Sequence, residues 1–538
     1  MASPRRWPQG LRSGPAAWDE GLRPLVAGIT RPHNSRSITI SDGIFASASR
    51  TPRKVAIREG ERSLTYAQLA ERTVRVANVV HGHFGLARGD RAAVFMPNRI
   101  EYLEIVCGLS SAGVAACTIG PTASATETRF ICEDSSARIL FVAPSLADAA
   151  RAAVGDIVPH IVSLDAEYEE LLSRARPDSL PVETDWEDIF SIPYTSGSTG
   201  RPKGVMLSHR ARVLSSYAMA SEHGCYGPDD RAVATTPMFH GSGFLMALAP
   251  VFFGGFVELL PSFNLEQLMR KIEEVSATSV YMVPTHFSAL FAMGDARHAF
   301  NHSSLKSVIV GTAPLSQAMK VRIVEYIGEG KLFERYGSTE ASIVTALRPK
   351  DQLRKQQCVG LPLPATQIRI VDTDGKEMPP GEVGELYSTS NYMFSGYLNM
   401  PDAAAKSMRG EWFSAGDLGR FDDEGYLYLV DRKHDMIISG GENVFPREVE
   451  EVLLAHPAID QAAVVGLPHE HWGEQVVAFI VVREGMNVSD DELKVACREQ
   501  LSRYKVPKEF RLVPDLPRNR MGKVDRRALR EQERKVQA

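Results

Sequence analysis

Little in this 538-residue chain points to zinc–thiolate or disulfide chemistry. The six cysteines are Cys107, Cys117, Cys132, Cys225, Cys358 and Cys497. No two of them form a C-x-x-C pair, so the spacing indicates neither a zinc knuckle nor a redox pair. Scattered cysteines are typical of a reducing compartment, although six could still pair. We therefore expect a cytoplasmic protein.

The chain also lacks an excess of positive charge and a long apolar run. Its formal net charge is -5, which gives no electrostatic case for a nucleic-acid partner. The most apolar stretch, Phe244–Leu260, contains Pro250, Gly254, Gly255 and Glu258. It is shorter than the roughly 20 residues that span a bilayer. We predict that this stretch is buried core and that the chain has no integral membrane segment.

The first forty residues contain Pro, Gly, Ser and several Arg but no apolar block of the kind found in secretory signals. Asp19 and Glu20 disfavour a transit peptide, in which acidic residues are rare. We predict a loosely ordered tail over residues 1–40.

The length predicts at least two domains, because single hydrophobic cores stop growing well below 538 residues. Residues 41–431 alternate β-branched runs with amphipathic patterns. Ser279–Pro284 and Ser307–Gly311 are typical of buried strands, and Leu265–Val275 has one apolar helical face. This rhythm predicts an α/β fold, with a large N-terminal domain of βαβ units and largely parallel sheets.

From residue 436 the pattern changes to that of a small α+β domain over residues 436–538. Pro446 can open a helix through Leu454, Val476–Val482 is typical of a strand, and Asp490–Ser502 of a helix. The charged residues 432–435 lie between the two regions. We predict that they form a hinge and that the small C-terminal domain is mobile.

The strongest local signal is the glycine- and hydroxyl-rich run Tyr194-Thr-Ser-Gly-Ser-Thr-Gly-Arg-Pro-Lys-Gly204. A strand-like run precedes it and a helical run follows. Such a loop can surround phosphate oxygens with N–H and O–H groups, although its spacing is not that of the P-loop. The candidate phosphate-binding residues are Thr195, Ser196, Gly197, Ser198, Thr199, Gly200 and Lys203.

This loop resembles the phosphate loop of the acyl-adenylate-forming superfamily, which includes acyl- and aryl-CoA synthetases, firefly luciferase and the adenylation domains of peptide synthetases. The resemblance extends from Leu64-Thr-Tyr-Ala-Gln-Leu69 to Lys523, with six motifs in the order found in the family. It implies an enzyme that uses ATP, Mg²⁺ and coenzyme A to activate a small-molecule carboxylic acid.

By this resemblance, the nucleotide meets three further segments. In Tyr336-Gly337-Ser-Thr339-Glu340, Thr339 contacts the α-phosphate and Glu340 holds Mg²⁺, with Thr199 as a second ligand. Asp417 accepts hydrogen bonds from the ribose hydroxyls, as suits an ionised carboxylate. The predicted adenine wall consists of Gly311, Thr312, Ala313 and Tyr336.

The acyl and acceptor sides are also assigned by resemblance. His240 ends the segment that lies beside the reacting carboxylate, and Arg432 in the hinge meets the ribose or phosphate. The pivot position, usually Asp or Lys, is His434. The pantetheine loop contains Ser439, Gly440 and Gly441, and Trp472 packs against the CoA nucleotide. Lys523 is the catalytic lysine of adenylation.

The resemblance implies two half-reactions: formation of an acyl-AMP, then rotation at the hinge and attack by a CoA thiol. Small residues around His240, together with Ala341 and Ser342, suggest a roomy, mostly apolar pocket for a fatty, aromatic or cyclic acid. Three alternatives stay open: a carrier-loading acyl-AMP ligase, a luciferase-like oxygenase and a non-catalytic family member. Homo-oligomerisation also stays open.

Overall fold

The computed structural model describes residues 37–178, 180–196, 201–518 and 524–537. Of the predicted tail, only residues 37–40 fall within these ranges, and Ile40 already begins a helix.

The strands are, in chain order, β1 (Val55–Glu59), β2 (Arg62–Thr65), β3 (Arg91–Phe95), β4 (Ala115–Ile119), β5 (Ile139–Val142), β6 (His160–Ser163), β7 (Ile189–Ser196), β8 (Pro202–Gly204), β9 (Leu207–Ser208), β10 (Arg231–Ala234), β11 (Phe256–Leu259), β12 (Ser279–Met282), β13 (Ser307–Val310), β14 (Leu332–Ser338), β15 (Ser342–Leu347), β16 (Cys358–Pro362), β17 (Thr366–Val371), β18 (Gly384–Ser390), β19 (Met408–Arg409), β20 (Trp412–Phe413), β21 (Asp417–Phe421), β22 (Leu427–Arg432), β23 (Ile437–Ser439), β24 (Glu442–Val444), β25 (Ile459–His469), β26 (Gly473–Val482) and β27 (Glu509–Leu512).

The α-helices are α1 (Ile40–Arg50), α2 (Tyr66–Asn78), α3 (Ile100–Ser111), α4 (Ala125–Ser135), α5 (Ala147–Val154), α6 (Ala166–Arg174), α7 (His209–His223), α8 (Gly241–Phe252), α9 (Leu265–Glu274), α10 (Pro284–Ala292), α11 (Gln317–Ile327), α12 (Pro401–Ser407), α13 (Pro446–Leu454), α14 (Asp490–Gln500) and α15 (Arg526–Gln537).

The first sheet has the order β6-β5-β3-β4-β7-β8, with β9 also paired to β7. Strands β3, β4, β5 and β6 are connected by helices and pair in parallel, as predicted for βαβ units. The predicted phosphate loop follows β7, which runs parallel to β4. The sheet therefore places that loop at the carboxyl ends of its strands, where ligands bind in open α/β sheets.

The second sheet is parallel over one half and antiparallel over the other. Strands β10 to β14 pair in parallel, and the helices between them complete further βαβ units. From β14 onward, strands β15, β16, β21 and β22 pair antiparallel with their neighbours. The prediction of largely parallel sheets is therefore confirmed for the strands up to β14 and wrong for the strands from β15 to β22.

The largest hydrophobic cluster lies where α1, α2, α3 and α8 pack between the two sheets. Every residue of α3 is buried, including Glu104, whose carboxylate pairs with Arg72 and accepts a hydrogen bond from Tyr168. The stretch predicted to be core forms α8 and β11 and is almost entirely buried. No helix in the described ranges is both long and apolar enough to cross a bilayer.

The last sheet has the order β24-β23-β26-β25, with β27 parallel to β26, and lies entirely after residue 436. Successive residues of β25 face opposite sides, as strand geometry requires. Val464 packs with α13 and α14, whereas Ala463 and Val465 pack with Leu529 of α15. This arrangement forms a small α+β unit, and Pro446 begins α13 as predicted.

Candidate active site

Two of the predicted nucleotide segments follow adjacent parallel strands. Gly311–Ala313 follows β13, and Tyr336–Glu340 spans the end of β14; Val308 pairs with Leu332 and Val310 with Glu334. Because the carboxyl ends of parallel strands meet at one edge of a sheet, these segments lie side by side.

The turn after β13 is conformationally unusual. Thr312 has a φ of +71°, which is rare for a β-branched residue, and its Oγ1 donates a 2.6 Å hydrogen bond to the Gly311 carbonyl. A Cβ on Gly311 would lie 3.0 Å from Cγ of Arg335 and 3.1 Å from the Tyr281 hydroxyl oxygen. Strain of this kind is concentrated at functional sites.

A bulge shapes the turn after β14. The register between β14 and β15 shifts between Tyr336 and Gly337, and a Cβ on Gly337 would lie only 1.9 Å from the Ser342 carbonyl oxygen. Glycine is therefore required at residue 337. The bulge leaves Thr339 and Glu340 half-buried in the connection between the two strands.

Asp417 joins the β14 edge to the predicted hinge. Its Oδ2 accepts a 2.6 Å hydrogen bond from the Tyr336 hydroxyl, and its Oδ1 lies 3.2 Å from Nε of Arg432. Asp417 pairs with Arg432 across β21 and β22. Burial, followed by the Asp417 charge, raises the pKa of Tyr336, so its hydroxyl stays protonated and donates to the carboxylate. Three residues predicted separately thus form one cluster.

A second cluster joins Glu340 to the β7–β8 hairpin, which flanks the predicted phosphate loop and is called the phosphate hairpin. Thr195 pairs with Lys203 across β7 and β8. Lys203 Nζ lies 4.8 Å from the centroid of the Tyr397 ring, and the Tyr397 hydroxyl donates a 2.9 Å hydrogen bond to Glu340 Oε1. Burial, followed by the Glu340 charge, raises the pKa of Tyr397.

The predicted phosphate loop is described in part. Gly197, Ser198, Thr199 and Gly200 lie outside the described residues, as does the side chain of Ser196. The hairpin residues on either side are described, and they fix where the loop begins and ends.

On the acyl side, His240 is the N-cap residue of α8. The preceding segment is anchored at two points. Asn98 Oδ1 accepts a 2.8 Å bond from the Met238 amide, and the Thr118 hydroxyl donates a 2.8 Å bond to the Phe239 carbonyl. A Cβ on Gly243 would lie 2.1 Å from the Pro237 carbonyl oxygen, so glycine is required in the first turn of α8.

The predicted hinge is tied to both sides of the chain. Lys433 Nζ lies 2.9 Å from Glu385 Oε2 on β18. Asp435 is buried and faces two arginines of α15. Its Oδ1 lies 3.3 Å from Nη2 of Arg530, and its Oδ2 lies 3.8 Å from Nη1 of Arg526. By contrast, His434 is 56% exposed, and its Nε2 lies 3.7 Å from Asp435 Oδ2.

On the C-terminal unit, Gly440 and Gly441 form the two-residue turn between β23 and β24. Their φ values are +63° and +87°, and Ser439 pairs with Glu442 across the hairpin. The Gly440 amide donates a 2.8 Å bond to the Trp472 carbonyl, and a Cβ on Gly440 would lie 3.0 Å from the indole. Trp472 is 36% exposed.

A lysine lies beside the exposed indole of Trp472. Lys508 Nζ lies 5.3 Å from the centroid of the Trp472 ring. Burial, together with the charges of Arg503 and Arg498, lowers the pKa of Lys508. Lys523, the predicted catalytic lysine, lies outside the described residues.

Sequence patterns did not identify several residues that shape this site. Tyr397 links the two halves of the proposed phosphate site, but it is one aromatic residue in a connecting segment. Asn98 and Thr118 hold the His240 segment from distant parts of the chain. No local spacing could have indicated these contacts, since they span more than 100 residues of sequence.

Comparisons with known proteins agree with this architecture. The profile of the family described as "AMP-binding enzyme" matches residues 44–398, and that of the "AMP-binding enzyme C-terminal domain" matches residues 448–523. A feruloyl-CoA synthase from an Amycolatopsis species is 35% identical over 488 residues, covering 89% of this chain and 95% of the relative.

Two further relatives cover similar spans. A 2-succinylbenzoate–CoA ligase from Geobacillus kaustophilus is 33% identical over 492 residues, covering 89% of this chain and 95% of the relative. The crystal structure of ATP-bound MatB from Rhodopseudomonas palustris superposes with a TM-score of 0.86 at 29% identity, covering 93% of this chain and 99% of that one. The chain therefore belongs to the AMP-binding enzyme family.

Proposed function

We propose that this protein is an ATP-dependent carboxylic acid:CoA ligase that acts through an acyl-AMP intermediate and releases AMP and pyrophosphate. The observation that carries the proposal is the meeting of two polar clusters at β14. Asp417, Tyr336 and Arg432 form one, and Glu340, Tyr397 and the phosphate hairpin form the other.

Each cluster is assigned a different part of the nucleotide. Asp417 can accept hydrogen bonds from both ribose hydroxyls, because an ionised carboxylate is acceptor-only. The turn Gly311–Ala313 and the Tyr336 ring form the adenine wall. Thr339 and the loop from Thr195 to Lys203 bind the phosphates, and Arg432 meets the ribose or the α-phosphate from the hinge.

The residues present fit Mg²⁺. In the described parts of the chain, no three His, Cys, Asp or Glu side chains converge as a metal site. Mg²⁺ on nucleotides commonly needs only one or two protein oxygens, together with phosphate oxygens and water. Glu340, already oriented by Tyr397, supplies one such ligand, and Thr199 is proposed as the other. When bound, Mg²⁺ neutralises charge on the phosphates.

Adenylation joins two anions, so the protein has to position and neutralise them. The carboxylate oxygen attacks the α-phosphorus, and the bond to the bridging oxygen breaks, releasing pyrophosphate. Lys203 and Lys523 bring positive charge to the phosphates. His240, at the start of α8, lies beside the reacting carboxylate.

The second half-reaction requires the C-terminal unit to move. We propose an N-terminal domain over residues 41–431, a hinge at 432–435 and a C-terminal domain over 436–538. Rotation withdraws Lys523 and presents the turn at Ser439–Gly441. The CoA thiol then attacks the acyl carbonyl and AMP leaves. Trp472, with Lys508 beside it, offers a surface for the CoA nucleotide.

The acid is proposed to be aromatic, cyclic or fatty. By their names, two relatives act on aromatic acids, one of which, 2-succinylbenzoate, has two carboxylates. A place in lipid metabolism, a cytoplasmic location and assembly into a homo-oligomer stay proposals. All six cysteines are described, buried and free, which supports a reducing compartment.

The test is mass spectrometry of reactions that contain ATP, Mg²⁺ and a panel of carboxylic acids, each with and without CoA. We expect acyl-AMP without CoA and acyl-CoA with it. Acyl-AMP that persists in the presence of CoA would instead identify a carrier-loading ligase. No adduct with any acid would contradict the proposed activity.

A further inference from the structure

Arg212 is a buried cation at the start of the helix that follows His240. It lies on α7 and is only 4% exposed. A Cβ on Gly241 would lie 2.7 Å from Nη2 of Arg212, which places the guanidinium against the first turn of α8. The N-terminus of a 12-residue helix carries partial positive charge, so this end of α8 repels a cation and attracts an anion.

Arg335 is a second buried cation, immediately before Tyr336. It is 9% exposed, and its guanidinium carbon lies 4.7 Å from the centroid of the Tyr281 ring. A Cβ on Gly311 would lie 3.2 Å from Nε of Arg335, so the side chain passes behind the turn assigned to adenine. The hydroxyl of Tyr281 is buried beside it and has no hydrogen-bond partner in the part of the chain that the structure describes.

Neither arginine has a counterion among the described residues. Nε of Arg212 and Nε of Arg335 are both buried and make no hydrogen bond there, and neither guanidinium forms a salt bridge with a described carboxylate. The acidic residues on the same elements have other partners: Oε2 of Glu334 on β14 lies 2.5 Å from Nζ of Lys320, and Oε1 of Glu222 on α7 lies 2.6 Å from Nε of Arg348. Buried charges are ordinarily paired, because removing an unpaired ion from water is costly.

The two cations also lie close enough for the charge of Arg335 to affect Arg212. Burial and then the charge of Arg335 lower the pKa of Arg212 to about 10. The same two causes lower the pKa of His223 to about 3, so this histidine stays neutral. The region between α7, α8 and the β13 and β14 turns is therefore positive and adjoins His240 and Gly311, which flank the proposed reaction centre.

We propose that Arg212 and Arg335 bind a second carboxylate of the acid substrate, so that the enzyme activates dicarboxylic acids. The inference rests on the proposed ligase activity and names its substrate class. A guanidinium matches the planar carboxylate with two parallel N–H donors, and the Tyr281 hydroxyl can donate a further bond. This proposal differs from the mostly apolar pocket expected from the small residues around His240.

The carboxylate that reacts is a poorer candidate for this role. It must attack the α-phosphorus, and a carboxylate held by two guanidiniums is a weak nucleophile. A second, non-reacting carboxylate supplies the missing counterion without this conflict.

The experiment compares diacids with their monomethyl esters, which keep the skeleton and remove one charge. Phthalate isomers and aliphatic α,ω-diacids serve as probes, and pyrophosphate release gives kcat/KM. We expect the wild type to prefer a diacid over its half-ester by at least about 10-fold, the scale of a hydrogen-bonded charge pair. Arg212→Met and Arg335→Met should each remove most of that preference.

Arg210→Met is the matched control. Arg210 lies on the same helix but faces outward, where its Nε donates a 2.7 Å hydrogen bond to Glu187. It should keep the wild-type preference for the diacid. Thermal unfolding without substrate gives a second measurement: Arg212→Met should leave Tm unchanged or raise it, because the substitution removes an uncompensated buried charge.

Several results would overturn the inference. If the wild type used half-esters as efficiently as diacids, the inference would be wrong and the proposed ligase activity would still hold. Equal losses for diacid and half-ester in both arginine variants, or a marked fall in Tm, would show a structural role. Failure of the wild type to activate any acid would contradict the proposed ligase activity, and this inference with it.

Discussion

The Tyr397 hydroxyl donates a 2.9 Å hydrogen bond to Oε1 of Glu340, and Nζ of Lys203 lies 4.8 Å from the centroid of the same ring. One aromatic side chain thus contacts both the proposed Mg²⁺ ligand and the proposed phosphate-binding lysine. Its hydroxyl fixes the carboxylate in one orientation, which leaves Oε2 of Glu340 for other contacts.

Tyr397→Phe should weaken use of Mg²⁺-ATP without unfolding the protein. Loss of a hydrogen bond to a charged group costs about 1.5–3 kcal/mol, so we expect KM for Mg²⁺-ATP to rise about 10-fold or more. Mg²⁺ titrations of pyrophosphate release at fixed ATP would measure this. Tyr392→Phe is the control, since the Tyr392 hydroxyl donates to the Pro364 carbonyl instead. Equal KM values in the two variants would contradict the role of Tyr397.

Asp417→Asn should impair ATP binding through the ribose. The amide keeps the shape but loses the charge that faces Arg432 and one acceptor for the ribose hydroxyls. We expect KM for ATP to rise about 10- to 100-fold. A 2′-deoxy-ATP comparison sharpens the test: the wild type should lose affinity when the 2′-hydroxyl is removed, and the variant should lose much less. The exposed Asp423→Asn is the control. An unchanged preference for ATP over 2′-deoxy-ATP in Asp417→Asn would contradict the assignment.

The sequence predicts local structure well where the signal is local. The helix expected over Leu265–Val275 is observed over Leu265–Glu274, and the one expected from Pro446 to Leu454 has those bounds. Apolar spacing and a favourable first residue define such segments. The antiparallel strands between residues 332 and 432 were missed, because pairing direction depends on which distant strands become neighbours.

The same limit applies to the site. Tyr336, Asp417 and Arg432 belong to recognisable motifs, and the structure brings them together. Arg212 and Arg335 belong to ordinary helix and strand sequences, and only their burial without a counterion among residues 37–178, 180–196, 201–518 and 524–537 makes them unusual. A residue's missing partner is a property of the folded chain and cannot be predicted from one sequence.

Trp472→Ala should affect thioester formation and leave adenylation unchanged. Stacking of a nucleotide base on an aromatic ring contributes about 1–3 kcal/mol, so we expect KM for CoA to rise about 10-fold. Trp472→Phe should retain most of the affinity because it keeps a ring. Acyl-AMP formation without CoA is the internal reference. A loss of adenylation equal to the loss of thioester formation would indicate that the indole is only structural.

Lys523→Ala should show the opposite pattern. A cation positioned at the transferring phosphoryl group commonly contributes about 100- to 1,000-fold, so adenylation should fall by that factor. Thioester formation from supplied acyl-AMP should remain near wild type. The control is Arg527→Ala, which removes an exposed cation paired with Glu531 on α15. Equal loss of both half-reactions in Lys523→Ala would contradict the assignment.

Two buried histidines should make the fold sensitive to mild acid. Burial lowers the pKa of His209 to about 4 and, together with the Arg335 charge, that of His223 to about 3, whereas an unfolded histidine has a pKa near 6.5. His209 Nδ1 accepts a 3.4 Å bond from the Ile40 amide, which requires that nitrogen to be unprotonated. Above pH 6.5 the two histidines are neutral in both the folded and the unfolded chain, so they do not lower the free energy of unfolding. As pH falls below 6.5, the unfolded chain takes up protons that the folded chain cannot, and stability is lost.

Each histidine should therefore contribute a slope of about 1.4 kcal/mol per pH unit between pH 6 and its folded pKa. Urea unfolding at pH 5, 5.5, 6, 7 and 8 would measure the slope of the unfolding free energy. His223→Phe should reduce it by one histidine's share and lose no hydrogen bond to a described residue, since both ring nitrogens are buried without a partner there. The exposed His83→Phe should leave the slope unchanged. Parallel curves for wild type and His223→Phe would show that His223 has the same pKa in the folded and unfolded chain, which would contradict its burial in the neutral form.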